Sequence, residues 1–230
     1  MAEQKNVPSI ESRLRHNILR IPPETYAASG IVIYGRRIKS LVFTTDIAII
    51  RNCDADAVLA VYPFTPQSSI SKALIEVSDV PVFVGVGGGV TSGERSVRLA
   101  EEAEHQGAYG IVVNAPIAPE IITWIKERVE LPVVATIISQ KQDIEERVRA
   151  GADILNVAAS KETPALVAYI KEKYPDMPVI ATGGPSDETI RATIAAGANA
   201  ITYTPPSSGD IFAESMRRYR HTYEEGAKNE

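Results

Sequence analysis

The sequence predicts a single (β/α)8 barrel, an α/β fold, and three observations support this prediction. Eight short, β-branched apolar runs alternate with helix-like stretches along the 230 residues. The runs are continuously apolar, which is typical of parallel strands covered on both faces. A strand-to-helix unit also repeats, because Pro132 to Gly151 and Pro178 to Gly197 each span 19 positions. The alternative is a doubly wound sheet, which usually stops at about five or six strands.

The eight runs and the segment ahead of them are expected to form one domain, residues 1–230, with the barrel over 38–223 and an extension over 1–37. In the extension we expect an amphipathic helix over Ile10–Ile21. We also expect a hairpin of Gly30–Tyr34 with Lys39–Thr44 around Gly35-Arg36-Arg37. Both would cover the barrel bottom or a partner subunit. The predicted strands are Ser40–Thr44, Val58–Tyr62, Val82–Val86, Gly110–Asn114, Val133–Ile137, Ile154–Ala158, Val179–Thr182 and Ala200–Thr204.

Helix starts are indicated by short hydroxyl-bearing motifs. Thr91–Glu94 and Ser139–Gln142 have the spacing of capping boxes, in which two side chains satisfy each other's backbone donors. Ser186 is the expected N-cap of the helix that follows Gly184.

Composition excludes several classes of protein. A net charge of −5 and a pI near 5.4 argue against a nucleic-acid partner, which requires a basic face. The single Cys53 excludes a disulfide framework and a cysteine-based zinc site, and the three histidines are too scattered for a metal cluster. No signal peptide is expected from the charged first residues, and no run approaches the roughly 18 uncharged residues of a membrane span. A cytoplasmic protein is therefore expected.

In barrel enzymes the functional site lies where the strands end. The polar side chains that follow the predicted strands are Thr44, Thr45, Asp46, Tyr62, Asn114, Thr136, Asn156, Lys161, Thr202 and Thr204. Asp46 is a candidate general base, with an N-cap role as the equal alternative. Lys161 is expected to assist electrostatically, and Asn114 and Asn156 to hydrogen-bond a ligand or a neighbouring loop. These four predicted catalytic residues should share one pocket.

Two glycine-rich turns are candidate anion sites. Gly183-Gly184 follows the seventh strand, and Thr204–Gly209 lies between the eighth strand and the last helix, on the neighbouring loop. The N–H groups and the positive end of a helix start favour anions. Gly88 and Gly89 follow the third strand and would lie opposite. The alternatives are that the glycines only make tight turns, or that the second cluster is a mobile lid. The predicted anion-binding residues are Gly183, Gly184, Thr204, Ser207, Ser208, Gly209, Gly88 and Gly89.

"PVIATGG" with "AGANAITYT", and the glycines after the third strand, resemble the phosphate-binding barrels of the ribulose-phosphate-binding group over about Leu41 to Met216. "PEIITWIKERVELPVVATIISQKQDIEERVRAGADILNV" resembles the corresponding segment of the nitronate monooxygenase and IMP dehydrogenase barrels, which hold FMN phosphate on the same two loops. The chain is also similar to bacterial barrels that carry only a generic hydrolase label.

The first resemblance implies an enzyme that acts on a small phosphorylated or acidic metabolite by aldolase, lyase or isomerase chemistry, with hydrolysis left open. The second implies a flavin oxidoreductase. A third alternative is a barrel that binds a ligand or a partner without catalysis. No cofactor and no dedicated metal site are expected, although FMN, or a Mg²⁺ held by Asp46 and a substrate phosphate, stays open. A homo-oligomer is expected.

Overall fold

The computed structural model describes residues 8, 10, 12, 13 and 18–226, with side chains to Tyr223. The strands are β1 (Ile31–Ile33), β2 (Arg36–Ile38), β3 (Ser40–Phe43), β4 (Ala57–Ala60), β5 (Val82–Gly87), β6 (Gly110–Val113), β7 (Val133–Ile137), β8 (Ile154–Val157), β9 (Val179–Thr182) and β10 (Ala200–Tyr203). The α-helices are α1 (Ile47–Arg51), α2 (Ser68–Val77), α3 (Glu94–His105), α4 (Pro119–Lys126), α5 (Ile144–Arg149), α6 (Thr163–Lys173), α7 (Asp187–Ala195) and α8 (Ser208–Gly226), with 3₁₀ turns at Pro23–Ala27 and Ser160–Glu162.

The eight strands β3 to β10 form a closed parallel barrel, in which β10 pairs with both β9 and β3. This confirms the predicted fold class. Several predicted strands extend one or two residues past the observed ends; the second, for example, ends at Ala60 and not at Tyr62. The extra residues lie at the barrel mouth, where the ladder ends, and most of them are polar: Thr44, Tyr62, Asn114 and Thr204.

The period of two along each strand divides the apolar side chains between two layers. Leu41, Leu59, Phe83 and Val134 belong to the cluster inside the barrel. Their neighbours in sequence, such as Val42 and Val58, pack outward in the larger cluster shared with the helices. Both layers are buried, which explains the continuous apolar runs in the sequence.

A hairpin formed by β1 and β2 closes the bottom of the barrel. Ile31, Ile33 and Ile38 pack into the inner cluster, and the Tyr109 hydroxyl donates to the Ile33 carbonyl at 2.8 Å. The turn lies at Tyr34-Gly35, where Gly35 has a φ of +80°. A hairpin at the bottom is thus confirmed, but the predicted second strand, Lys39–Thr44, is wrong: the hairpin pairs β1 with Arg36–Ile38, and Ser40–Phe43 belongs to the barrel. The two arginines therefore lie exposed in β2 and not in the turn.

The predicted helix over Ile10–Ile21 is wrong for its last residues, and residues 11 and 14–17 lie outside the described residues. Leu19 makes a parallel bridge with Cys53, and the Ile21 N–H donates to Asp54 Oδ1 at 2.7 Å. Ile21 is buried. Prolines at 22 and 23 disfavour helix in the preceding residue, so the chain enters the barrel extended.

Of the three predicted helix caps, Ser186 is confirmed. It forms a capping box with Thr189 at the start of α7. The box predicted at Thr91 is wrong, because Thr91 is buried and bridges Gly88, and α3 starts after Gly93 without a side-chain cap. The box predicted at Ser139 is also wrong: its loop folds on itself, and Asp143 caps α5.

Among the described residues, no helix has the length and apolar character needed to cross a membrane.

Candidate functional site

A cavity of about 730 Å³ opens at the carboxyl ends of the barrel strands. We call it the mouth cavity. Its floor is the inner apolar cluster, represented by Leu59, and its wall is rich in hydroxyl and amide groups. The described residues that line it are Phe43, Thr44, Thr45, Leu59, Val61, Tyr62, Pro63, Asn114, Thr136, Asn156, Ala158, Thr182, Thr202 and Thr204. Among these residues none carries a formal charge at neutral pH, so the polar groups of the described lining are neutral.

Three side chains from adjacent strand ends form a hydrogen-bonded chain across one wall. Asn156 Nδ2 donates to Thr136 Oγ1 at 3.2 Å, and Thr136 Oγ1 donates to Asn114 Oδ1 at 3.2 Å. The three residues lie on β8, on β7 and directly after β6, at positions where the strand period turns them into the barrel. These two hydrogen bonds fix the orientation of the three side chains relative to one another.

Two oxygen atoms of this cavity wall have no hydrogen-bond partner in the described structure: Asn156 Oδ1 and Thr202 Oγ1. Both residues are more than nine-tenths buried, at 7% and 4% exposed. Buried polar groups are nearly always paired in folded proteins, and an exception calls for an explanation.

The structure places Asp46 outside the mouth cavity, as the N-cap of α1. Its Oδ1 accepts from the N–H groups of Ala48 and Ile49, and its Oδ2 accepts from the N–H and the hydroxyl of Ser208 at 3.2 and 2.5 Å. These bonds, the Ser208 hydroxyl first, lower the pKa of Asp46. A base whose oxygens are engaged in this way is poorly placed to take a substrate proton, so the capping role is the one realised here.

Lys161 lies in the 3₁₀ turn after β8 and is exposed. It is not among the residues lining the mouth cavity. The structure therefore brings Asn114 and Asn156 together, as the sequence predicted, but not with Asp46 or Lys161.

At the predicted anion site on the loop between β10 and α8, two carboxylates of the protein itself already accept hydrogen bonds from the loop. Ser207 donates to Asp210 through its N–H and hydroxyl at 3.1 and 2.6 Å, and Ser208 donates to Asp46. The Gly183 N–H donates to the Thr202 carbonyl at 3.2 Å. Gly209, in the first turn of α8, is exposed. Anion binding on this loop stays a prediction that requires these carboxylates to give up the donors.

Gly183 and Gly184, which follow β9, are explained by local packing and backbone conformation. A Cβ at Gly183 would lie 2.8 Å from Ile201 Cγ2 and 2.9 Å from Ile190 Cγ1. Gly184 has a φ of +83°. The tight-turn alternative therefore accounts for both positions.

Gly88 and Gly89 also have their N–H groups engaged, by the carbonyls of Thr91 and Pro116 at 2.8 and 2.9 Å. Gly88 has a φ of +120°, and a Cβ there would lie 2.5 Å from the Asn114 carbonyl oxygen. The close approach of this loop to Asn114 thus explains the glycine.

The described residues that line the mouth cavity do not have the chemistry of a Mg²⁺ site formed by protein side chains alone. Mg²⁺ prefers carboxylate oxygens, yet no carboxylate is among the described residues lining the mouth cavity, and no group of three potential metal-binding side chains occurs in the described chain. On the loop expected to hold a flavin phosphate, the N–H groups of Ser207 and Ser208 are bonded to Asp210 and Asp46.

Tyr62 was placed at a strand end by the sequence but was not singled out. It lines the mouth cavity, and its hydroxyl oxygen accepts the Gln67 N–H at 2.8 Å, so its own proton can be donated to a ligand. The threonines of the wall, Thr136, Thr182 and Thr202, were likewise not singled out. Their signal is positional: each stands near the end of an apolar strand in inward register.

Comparison with solved structures gives one consistent architecture. Phosphonopyruvate hydrolase matches with a TM-score of 0.64 and 13% identity, covering 88% of this chain and 86% of its own. 2,3-Dimethylmalate lyase matches at 0.61 and 13%, covering 87% and 84%. Phosphoenolpyruvate phosphomutase from Streptomyces platensis subsp. rosaceus matches at 0.60 and 13%, covering 89% and 85%. These similarities establish the barrel fold.

The sequence itself matches no protein-family model and none of the curated proteins with which it was compared.

Proposed function

We propose that this protein is an enzyme that binds a small, oxygen-rich metabolite in the mouth cavity and acts on it by lyase, isomerase, aldolase or hydrolase chemistry. The observation that supports this most is the wall itself: eight threonine and asparagine side chains converge on one cavity at the strand ends. The similar structures named above are a hydrolase, a lyase and a mutase of small acids, which supports the same class of substrate.

A phosphate or carboxylate on the ligand would be held by neutral donors. Asn114, with Oδ1 engaged by Thr136, offers the two N–H donors of Nδ2. Donors held in fixed positions stabilise negative charge that develops on a substrate, as oxyanion holes do. Among the described lining residues, Tyr62 alone carries a conventionally acidic proton, and we propose it as the proton donor.

Lys161 and Asp46 have supporting roles in this proposal. Lys161, exposed after β8, attracts an anionic ligand toward the mouth by long-range electrostatics. Asp46 holds the first residue of α8 against the start of α1 and so fixes the wall that carries Thr44, Thr45 and Thr204.

The second candidate is a barrel that binds its ligand without turnover. One observation favours it: the described lining has no Asp, Glu, His, Lys or Cys side chain to carry out ordinary acid–base or nucleophilic work.

The test is to incubate the purified protein with a metabolite extract, identify bound molecules by mass spectrometry, and follow their conversion by NMR. A bound small acid or phosphate that is converted supports the enzyme, and tight binding without conversion supports the second candidate. Asn114→Ala should abolish the binding. Asn52→Ala, at the exposed end of α1, is the matched control and should leave it intact. Equal binding by both variants would contradict the assignment of the mouth cavity.

A further inference from the structure

The feature that carries a further inference is the pair of partnerless oxygens in the buried part of the mouth cavity. Asn156 Oδ1 and Thr202 Oγ1 belong to neighbouring regions of one wall, since β8 and β10 both pair with β9. Each lies in a side chain that is more than nine-tenths buried. Neither atom has a hydrogen-bond partner in the described structure, so a ligand group that pairs with them makes hydrogen bonds that the empty protein lacks.

The direction of the hydrogen-bonded chain decides what kind of group fits. Thr136 has a single hydroxyl proton, which it donates to Asn114 Oδ1, and it accepts from Asn156 Nδ2. The amide of Asn156 is thereby oriented so that its carbonyl oxygen has no hydrogen-bond partner in the described structure. A carbonyl oxygen accepts hydrogen bonds and donates none.

An ionised carboxylate or phosphate oxygen cannot satisfy this atom, because it is also an acceptor. It would also bring negative charge against a carbonyl dipole, with no cation among the described lining residues. An ammonium group could donate, but burying it there without a counter-charge is costly. A neutral alcohol can donate to Asn156 and still accept from the Thr202 hydroxyl.

Building on the proposed function, we propose that the ligand is a hydroxylated metabolite that binds with an alcohol group inward, donating to Asn156 Oδ1 and accepting from Thr202. Its acidic group points outward, toward the Nδ2 donors of Asn114 and the hydroxyls of Thr44, Thr45 and Thr204 at the solvent side of the mouth. Hydroxy acids and the phosphates of polyols have this arrangement.

The experiment compares compounds that differ only in hydroxyl groups. Malate and succinate, lactate and propionate, and glycerol 3-phosphate and propyl phosphate are measured by calorimetry against the full chain. We expect the hydroxylated member to bind about tenfold tighter, the effect of one or two net hydrogen bonds. In Thr202→Val, which keeps the shape of the side chain, this preference should fall about threefold to tenfold.

The melting temperature of the ligand-free protein provides an independent test. Because Thr202 Oγ1 has no partner, Thr202→Val should leave the ligand-free melting temperature unchanged or raise it. Thr25→Val is the matched control: Thr25 is buried, its hydroxyl oxygen is also without a partner, and it lies in the 3₁₀ turn Pro23–Ala27 away from the mouth. Thr25→Val should likewise leave the melting temperature unchanged or raise it, and it should not alter the preference for the hydroxylated compounds.

Two outcomes would overturn the inference in different ways. Should succinate, propionate and propyl phosphate bind as tightly as their hydroxylated counterparts, the inward group is not a hydroxyl, yet the proposed ligand site stands. If no member of any pair binds the unmodified protein, the proposed function fails for this class of metabolite, and the inference fails with it.

Discussion

Asp46 shows how one side chain can satisfy two helix starts at once. One carboxylate oxygen accepts the first N–H groups of α1, and the other holds Ser208 at the start of α8. The sequence left its catalytic and capping roles equally open. It could not decide between them, because the partner that occupies the second oxygen is 162 residues away.

Replacing Asp46 tests this capping role. Asp46→Ala should lower the free energy of unfolding at pH 7 by about 1 kcal/mol, as other lost N-caps do. Asp46→Asn keeps the cap of α1 but cannot accept from Ser208 through its amide nitrogen, so it should cost less. Both are measured by urea unfolding. Equal stability of all three proteins would show that neither contact matters.

The same carboxylate gives a pH dependence with a defined sign. Its pKa is lowered in the folded protein, so its contribution is complete above the unfolded pKa of about 3.9 and is lost as the pH falls through the folded value. The stability difference between the unmodified protein and Asp46→Ala should therefore shrink between about pH 4 and pH 2. A difference that stays constant across this range would contradict the assignment.

Lys161 contributes through charge alone in the proposed function. Because it is exposed, Lys161→Met should change the melting temperature little. It should weaken binding of an acidic ligand a fewfold at low salt, and the effect should disappear at about 0.5 M NaCl, where such interactions are screened. Lys141→Met, on the exposed neighbouring loop after β7, is the comparison variant. A loss that is independent of salt would indicate direct contact with the ligand.

At the scale of elements, the strands were predictable because each is a short apolar run, and burial on both faces leaves few alternatives. Their carboxyl ends were not, since Tyr62 and Asn114 have strand-like neighbours but leave the ladder to line the mouth. Thr91 is a second case: its capping motif is sound locally, but a bridge to Gly88 takes its place. The site residues Asn114 and Asn156 could be found as polar residues in apolar strands. The Asp46–Ser208 contact, which joins opposite ends of the barrel sequence, could not.

The junction of β9 and α7 depends on the absence of a side chain at Gly183. In Gly183→Ala the new methyl group would meet Ile201 and Ile190 inside normal contact distance, and we expect a loss of about 1–3 kcal/mol in the free energy of unfolding. Gly209→Ala is the control. At that position a Cβ would approach nothing closer than 3.6 Å, and alanine favours helix, so stability should be equal or higher. A tolerated Gly183→Ala would remove the packing explanation.

For the whole molecule, the two ends of the barrel have separate tasks. The bottom is sealed by apolar side chains of the β1–β2 hairpin, and Tyr109 fastens the hairpin by its hydroxyl. The mouth carries the threonine and asparagine wall. Substitutions at the bottom should therefore change the stability of the protein, and substitutions at the mouth should change its affinity for the ligand.

Deleting residues 1–29 tests this separation. The deletion removes buried Ile21, the Leu19–Cys53 bridge and the 3₁₀ turn that packs on α7, where Glu24 pairs with Arg191 at 3.0 Å. We expect a lower melting temperature or a changed oligomeric state, with the affinity of the remaining folded protein nearly unchanged. Both are measured on the same sample, by calorimetry and light scattering. A truncated chain that stays folded and loses ligand binding would place this segment in the site.

The barrel closes only when β10 reaches β3, across nearly the whole length of the chain. Until then the nascent protein presents two open parallel edges, and such edges are templates for pairing with other chains. Because β3 is synthesised early and β10 late, these edges remain open for most of translation. Pairing of β10 with β3 removes both edges at once, and the hydrogen bond between Asp46 and Ser208 then holds the segments that flank this pair together.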